Sequence, residues 1–160
     1  MSYAFYVAAA LNWGVAVALL GVGLDYLTSS TLKPHHHQML DVPWEQLTDK
    51  TRLLMLTLMK GTGLVAVVTA VAMALLLVEP FRRQENWSRY ALLIVAGTTL
   101  VPTLVGTFQV RAKAGPHAPW WPHVVMLCAL GLAFGLTSDF QGPLTRGESP
   151  PAQGAGGSPP

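Results

Sequence analysis

Charge is what this chain has least of: 11% of its 160 residues are Asp, Glu, Lys or Arg, where a soluble domain carries about 25%. So few charges exclude a water-soluble shell around the molecule. A formal net charge of +2, with the basic residues scattered, excludes a nucleic-acid surface as well. Cysteine occurs once, at Cys128, which rules out an intrachain disulfide framework. Its apolar surroundings make it an expected small, buried packing residue. There is no G-x-S-x-G, Walker loop, dinucleotide fingerprint or H-E-x-x-H. No carboxylate lies within an apolar run: Asp25, Glu79 and Asp139 all stand at run ends, unlike the buried acids of proton-coupled transporters. Paired broken helices in the two halves are missing too. A haem bundle needs histidines facing each other from two spans, and only His123 approaches one.

What is there is apolar: 51% of the residues, in four runs. The run that organises the rest is Leu53–Val78. From Gly61 to Val78 it holds no charged, amide or proline side chain. Lys60 to Val78 covers about 27 Å as a helix, close to the hydrocarbon thickness of a bilayer, and Glu79-Pro80 is expected to end it abruptly. Before it lies Tyr3–Leu24, interrupted only by Asn12. That run lacks a basic n-region and exceeds the h-region of a signal peptide, so a retained first span is expected. The third span is Tyr90–Gln109 and the fourth about Trp120–Ser138. The fold class is therefore all-α: residues 1–138 form a four-transmembrane-helix bundle, with a surface-lying loop between helices 1 and 2. Residues 139–160 form a Pro/Gly/Ser-rich tail, expected to be disordered.

Several residues inside the runs invite a functional reading. Asn12 is expected to hydrogen-bond across a helix contact, and Ala10, Gly14 and Ala18 to form a groove where a neighbouring helix approaches. Thr62, Ala66, Ala70 and Ala74 form a similar stripe on helix 2, and Gly131 and Gly135 a glycine pair on helix 4. Lys60 is the one cation inside a span. Its place at the start of the run lets its stem snorkel to the surface. Pro102 removes a hydrogen bond in the third span, and Thr99, Thr103 and Thr107 share a face from which hydroxyls can bond the loosened carbonyls or a neighbouring helix.

The loop between helices 1 and 2 has the most unusual composition, LKPHHHQMLDVPWEQLTDK. Pro34 biases Lys33 toward extended backbone, Pro43 suits the first turn of a short helix, and Thr48 or Asp49 can cap helix 2. Trp44 belongs at headgroup level. Four spans place both termini and the 79–89 loop on one face, and the 25–52 and 110–121 loops on the other. His35, His36, His37, His117 and His123 all fall on that second face, joined by Asp41 and Glu45. Imidazole and carboxylate are ligands for Zn, Cu, Ni or Fe, so these five histidines are the candidate transition-metal site. Their spacing follows no established metal motif.

The stretch YLTSSTLKPHHHQMLDVPWEQL followed by an apolar helix resembles small, uncharacterised bacterial four-helix membrane proteins, in which a histidine precedes a Pro-Trp step by several residues. The resemblance covers residues 26 to 121 and implies a bacterial inner-membrane setting; it implies no activity and no catalytic residues. The expected protein is a multi-pass component of the inner (plasma) membrane, non-catalytic or accessory and without a cofactor. Its partners are the lipid bilayer and a membrane protein or a second copy of itself. The alternatives are a transition-metal binder using the histidine loops and a small lipophile- or quinone-binding redox accessory. The dense Arg82, Arg83, Arg89 turn favours a cytoplasmic position for both termini, with the histidines outside.

Overall fold

A computed structural model of the chain describes residues 2–37, 40, 42–114 and 119–139, apart from the side chains of His35 and Ala114. The expected tail beyond Asp139 lies outside these residues. Helix α1 is Tyr3–Thr28, α2 the single turn Pro34–His37, α3 Asp49–Leu76, α4 Asn86–Ala114 and α5 Trp121–Leu136. There are no strands among the described residues. Among the described residues three helices are long and apolar enough to cross a membrane: Tyr3–Thr28, Asp49–Phe81 and Asn86–Lys113. At 16 residues, α5 is apolar but shorter.

The helices begin where local chemistry satisfies their free N–H groups. Ser2 Oγ accepts from the Phe5 N–H at 3.3 Å to cap α1, and Thr48 Oγ1 accepts from the Thr51 N–H at 3.2 Å to cap α3. The acid in the first turn of α3, Asp49, pairs with Arg52 at 2.9 Å. Lys33 is non-helical, as the following proline requires, and Pro34 then opens the α2 turn. The Pro43 segment closes into a single 3-10 turn, Trp44–Gln46.

The apolar run of α3 does not stop at Glu79-Pro80. Pro80 has no N–H to continue the α-helical ladder, so the chain widens into a π-helical turn over Leu77–Phe81. It reverses at Gln84, the one described non-glycine residue with positive φ (58°). The Glu85 N–H donates to the Pro80 carbonyl at 3.0 Å. This extra turn carries Phe81 into the core, 1% exposed and stacked on Phe5 with ring centroids 5.6 Å apart.

The four long helices form a ring in which α1 packs on α3 and α5, and α4 packs on the same two. Its centre is filled by Phe5, Leu19, Met73, Phe81, Leu92 and Leu100, with alanines at 8, 66, 70, 96 and 133 where helices come close. The tightest seam is between α1 and α3. A Cβ on Gly23 would stand 2.7 Å from the Gly63 carbonyl oxygen, and one on Gly63 would stand 2.7 Å from Tyr26 Cβ.

This seam corrects the expected packing faces. Ala66 and Ala70 are buried, but Thr62 is exposed and Ala74 is only half-buried. Ala10, Gly14, Ala18, Gly131 and Gly135 all face outward, with nothing within 4 Å of a Cβ on any of the three glycines. In α1, Phe5, Ala8, Asn12, Val15, Leu19 and Gly23 hold the inner face, which leaves the small-residue stripe on the opposite one. Cys128, expected to be buried, is exposed on the outward side of α5.

Candidate functional site

The histidine loop is built on the end of α1. The last turn of that helix is closed by its own side chains: the Thr28 and Ser29 hydroxyls donate to the Leu24 and Asp25 carbonyls at 2.8 and 2.6 Å. Lys33 then folds back to pair with Asp25 at 2.7 Å. This brings a cation to a helix C-terminus, where the carbonyl dipoles favour it. Leu32 is buried beneath the loop. The α2 turn sends its histidines to different neighbours. His36 lies edge-on to Tyr26, ring centroids 6.1 Å apart, and His37 edge-on to Trp44 at 5.8 Å.

His123 is half-buried in the first turn of α5. The side chain of His35, and all of His117 and Asp41, lie outside the described residues. Among the described residues no three His, Cys, Asp or Glu side chains gather in a way that could hold a metal ion. What the loop does form is an open cleft of about 730 Å³, lined by residues 28–34 and His37.

Inside the bundle the buried hydroxyls and Asn12 have structural partners. Thr69 and Thr99 meet across the α3–α4 seam with their hydroxyl oxygens 2.7 Å apart. Thr69 also lies 2.9 Å from the Val65 carbonyl. A hydroxyl has one proton, so Thr69 donates to Val65 and Thr99 donates to Thr69. Thr103 donates to the Thr99 and Leu100 carbonyls (2.8 and 3.0 Å) beside Pro102, and Thr107 donates to Thr103 (2.8 Å). The helix continues through Pro102. Asn12, expected to bond across helices, instead donates its amide to the Ala8 carbonyl of its own helix at 2.9 Å.

Lys60 is exposed on the outward side of α3. The position of Gly63 against Tyr26 and Leu27 sets its level: one turn before Gly63, Lys60 stands beside the end of α1.

The polar contact that sequence patterns do not reveal is at the opposite end. Arg89 donates from Nη1 to the Thr137 carbonyl at 2.9 Å and from Nη2 to the Tyr90 hydroxyl at 3.0 Å. Its guanidinium carbon sits 4.8 Å from the ring centroids of both Tyr90 and Phe134. Arg89 thus joins the start of α4 to the end of α5. In the sequence it is only an arginine near the start of a span, because Thr137 is 48 residues away.

No family model, curated protein or solved structure matches this chain.

Proposed function

We propose that this chain is a four-span protein of the bacterial inner (plasma) membrane and serves as a non-catalytic accessory component, lending one side of its bundle to a larger membrane assembly. The observation that carries this reading is the outward orientation of its small residues. Ala10, Gly14 and Ala18 on α1, and Gly131 and Gly135 on the adjacent α5, leave shallow, open backbone on the bundle surface. Small residues in spans are used where another helix comes close. The outward faces of α3 and α4 carry large side chains such as Leu64, Val68, Ile94 and Val101, with open glycines at 61, 97 and 106 that lie singly rather than in an i, i+4 stripe. The interior supports a structural role: its buried hydroxyls and Asn12 are engaged with backbone or with each other.

Three helices supply spans by length and composition. In this reading the fourth is α5, about 24 Å long, with Trp120 and Trp121 together at its N-terminal end. The Arg82, Arg83 and Arg89 end faces the cytoplasm and the histidine loop faces outward.

The test is native electrophoresis in a mild detergent, comparing the wild type with Gly14→Leu and Gly131→Leu. The wild type is expected to migrate above monomer size, and both variants as monomers with unchanged thermal midpoints. A monomeric wild type, or variants that stay assembled, would overturn the accessory reading.

A further inference from the structure

We propose that the cleft at the end of α1 binds a phosphate ester bearing a primary ammonium, the headgroup of phosphatidylethanolamine. The proposal rests on the membrane placement given above. The register of Gly63 against Tyr26 and Leu27 puts the end of α1 level with Lys60, so the cleft lies at headgroup depth on the histidine face.

The chemistry of its walls selects the ligand. The negative pole stands just outside the lining: Asp25, reached through its 2.7 Å pairing with Lys33 and 62% exposed, beside the carbonyl end of the 26-residue α1. The other pole donates: Lys33, with the Ser30 and Thr31 hydroxyls, which have no partner among the described residues. Thr28 and Ser29 are already committed to helix carbonyls and add little. His37 forms a wall, held edge-on against Trp44.

A purely anionic ligand would meet Asp25 and the negative end of the helix, and a purely cationic one would meet Lys33. A zwitterion satisfies both poles, its phosphate oxygens accepting from Lys33 and the free hydroxyls and its ammonium donating toward Asp25. The Lys33–Asp25 contact is an exposed ion pair, of the kind that contributes little and exchanges readily, so the headgroup replaces it with two pairings of the same sign pattern. A quaternary ammonium has no N–H to donate, so a choline headgroup fits less well.

The full chain is reconstituted in nanodiscs of mixed phosphatidylethanolamine, phosphatidylcholine and phosphatidylglycerol, and the lipids retained on release are read by native mass spectrometry. Selective retention of phosphatidylethanolamine is expected, with loss of that selectivity in Lys33→Gln and in Asp25→Asn, while circular dichroism shows both variants folded. Equal retention of the three lipids, preference for phosphatidylglycerol, or selectivity unchanged in both variants would overturn the proposal. Soluble phosphoethanolamine is added in a second arm with phosphatidylcholine nanodiscs. Binding there that needs Lys33 and Asp25 would assign the same chemistry to a free ester, and no binding would assign it to the lipid. A chain that fails to float with liposomes would overturn the membrane placement itself, a result separable from unselective retention.

Discussion

Gly23 and Gly63 touch backbone to backbone: a Cβ on Gly23 would stand 2.7 Å from the Gly63 carbonyl oxygen and 2.9 Å from the Val67 nitrogen. Neither obstacle is a movable side-chain end, so α1 and α3 must separate to admit even a methyl group. Gly23→Ala and Gly63→Ala are each expected to lose about 1–3 kcal/mol, the usual cost of overpacking a tight contact. Gly14→Ala, on the open face, should stay within about 0.5 kcal/mol of wild type. Unfolding by SDS titration in mixed micelles measures all three. Equal stability of Gly23→Ala and Gly14→Ala would remove this seam as the tightest packing contact.

The Thr69–Thr99 hydroxyl pair lends itself to a double-mutant cycle. Thr69→Val, Thr99→Val and the double variant are expected to give a coupling of about 0.6 kcal/mol, and no more than about 1.7, the range for hydrogen bonds between membrane helices. Thr99→Val should cost less than Thr69→Val, because Thr69 keeps its bond to the Val65 carbonyl. A coupling indistinguishable from zero would mean that the two hydroxyls do not share a proton.

For Arg89, the expectation concerns geometry as well as charge. Arg89→Met removes two charge-assisted bonds and both ring contacts, and should cost about 1.5–3 kcal/mol. Arg89→Lys keeps the charge but not the planar fork, so it should recover only part of that loss. Full recovery by lysine would show that charge alone holds α4 to α5.

Lys60→Met should leave membrane insertion and yield unchanged, since methionine preserves the apolar stem and the ammonium has only the surface to reach. Pulse labelling followed by carbonate extraction measures this. A collapse in inserted protein would place the ammonium in an essential pairing.

Metal content gives a fifth check. Purified protein analysed by plasma mass spectrometry is expected to hold less than one transition-metal ion per chain, with only weak binding on titration with zinc. Metal that survives gel filtration and disappears in His123→Ala would instead support a site that includes the start of α5.

The helices were legible in the sequence because hydropathy and length require only composition. Thr48 as a cap, the non-helical Lys33 before Pro34 and the outward Lys60 followed from local rules of the same kind. The packing faces did not. Ala10-Gly14-Ala18 and Gly131-Gly135 satisfy a small-residue pattern better than Gly23 or Gly63, which have no small partner four residues away. Nearly every side chain in these spans is apolar, so hydropathy does not distinguish a lipid-facing side from a helix-facing one. The continuation through Pro80 to Phe81 was hidden for a different reason: proline forbids the α-helical bond but permits a wider turn, and a buried ring opposite, Phe5, favours it. The histidine positions were legible as a loop, while their separation onto Tyr26 and Trp44 depends on the α2 turn. His117 and the side chain of His35 lie outside the described residues.

The Arg89 staple has a consequence for the order in which the chain is assembled. Its acceptor, the Thr137 carbonyl, follows directly on α5, the last of the described helices in chain order, and α5 also supplies the second wall against α1. While the ribosome is still making α5, the hairpin of α1 and α3 can already close on its glycine seam, but α4 carries an unlatched guanidinium and α1 an uncovered flank. A chain that ends before Trp121 therefore leaves α1 without its α5 neighbour and Arg89 without its carbonyl acceptor. Closure of the ring on the α4–α5 side waits on the arrival of Thr137.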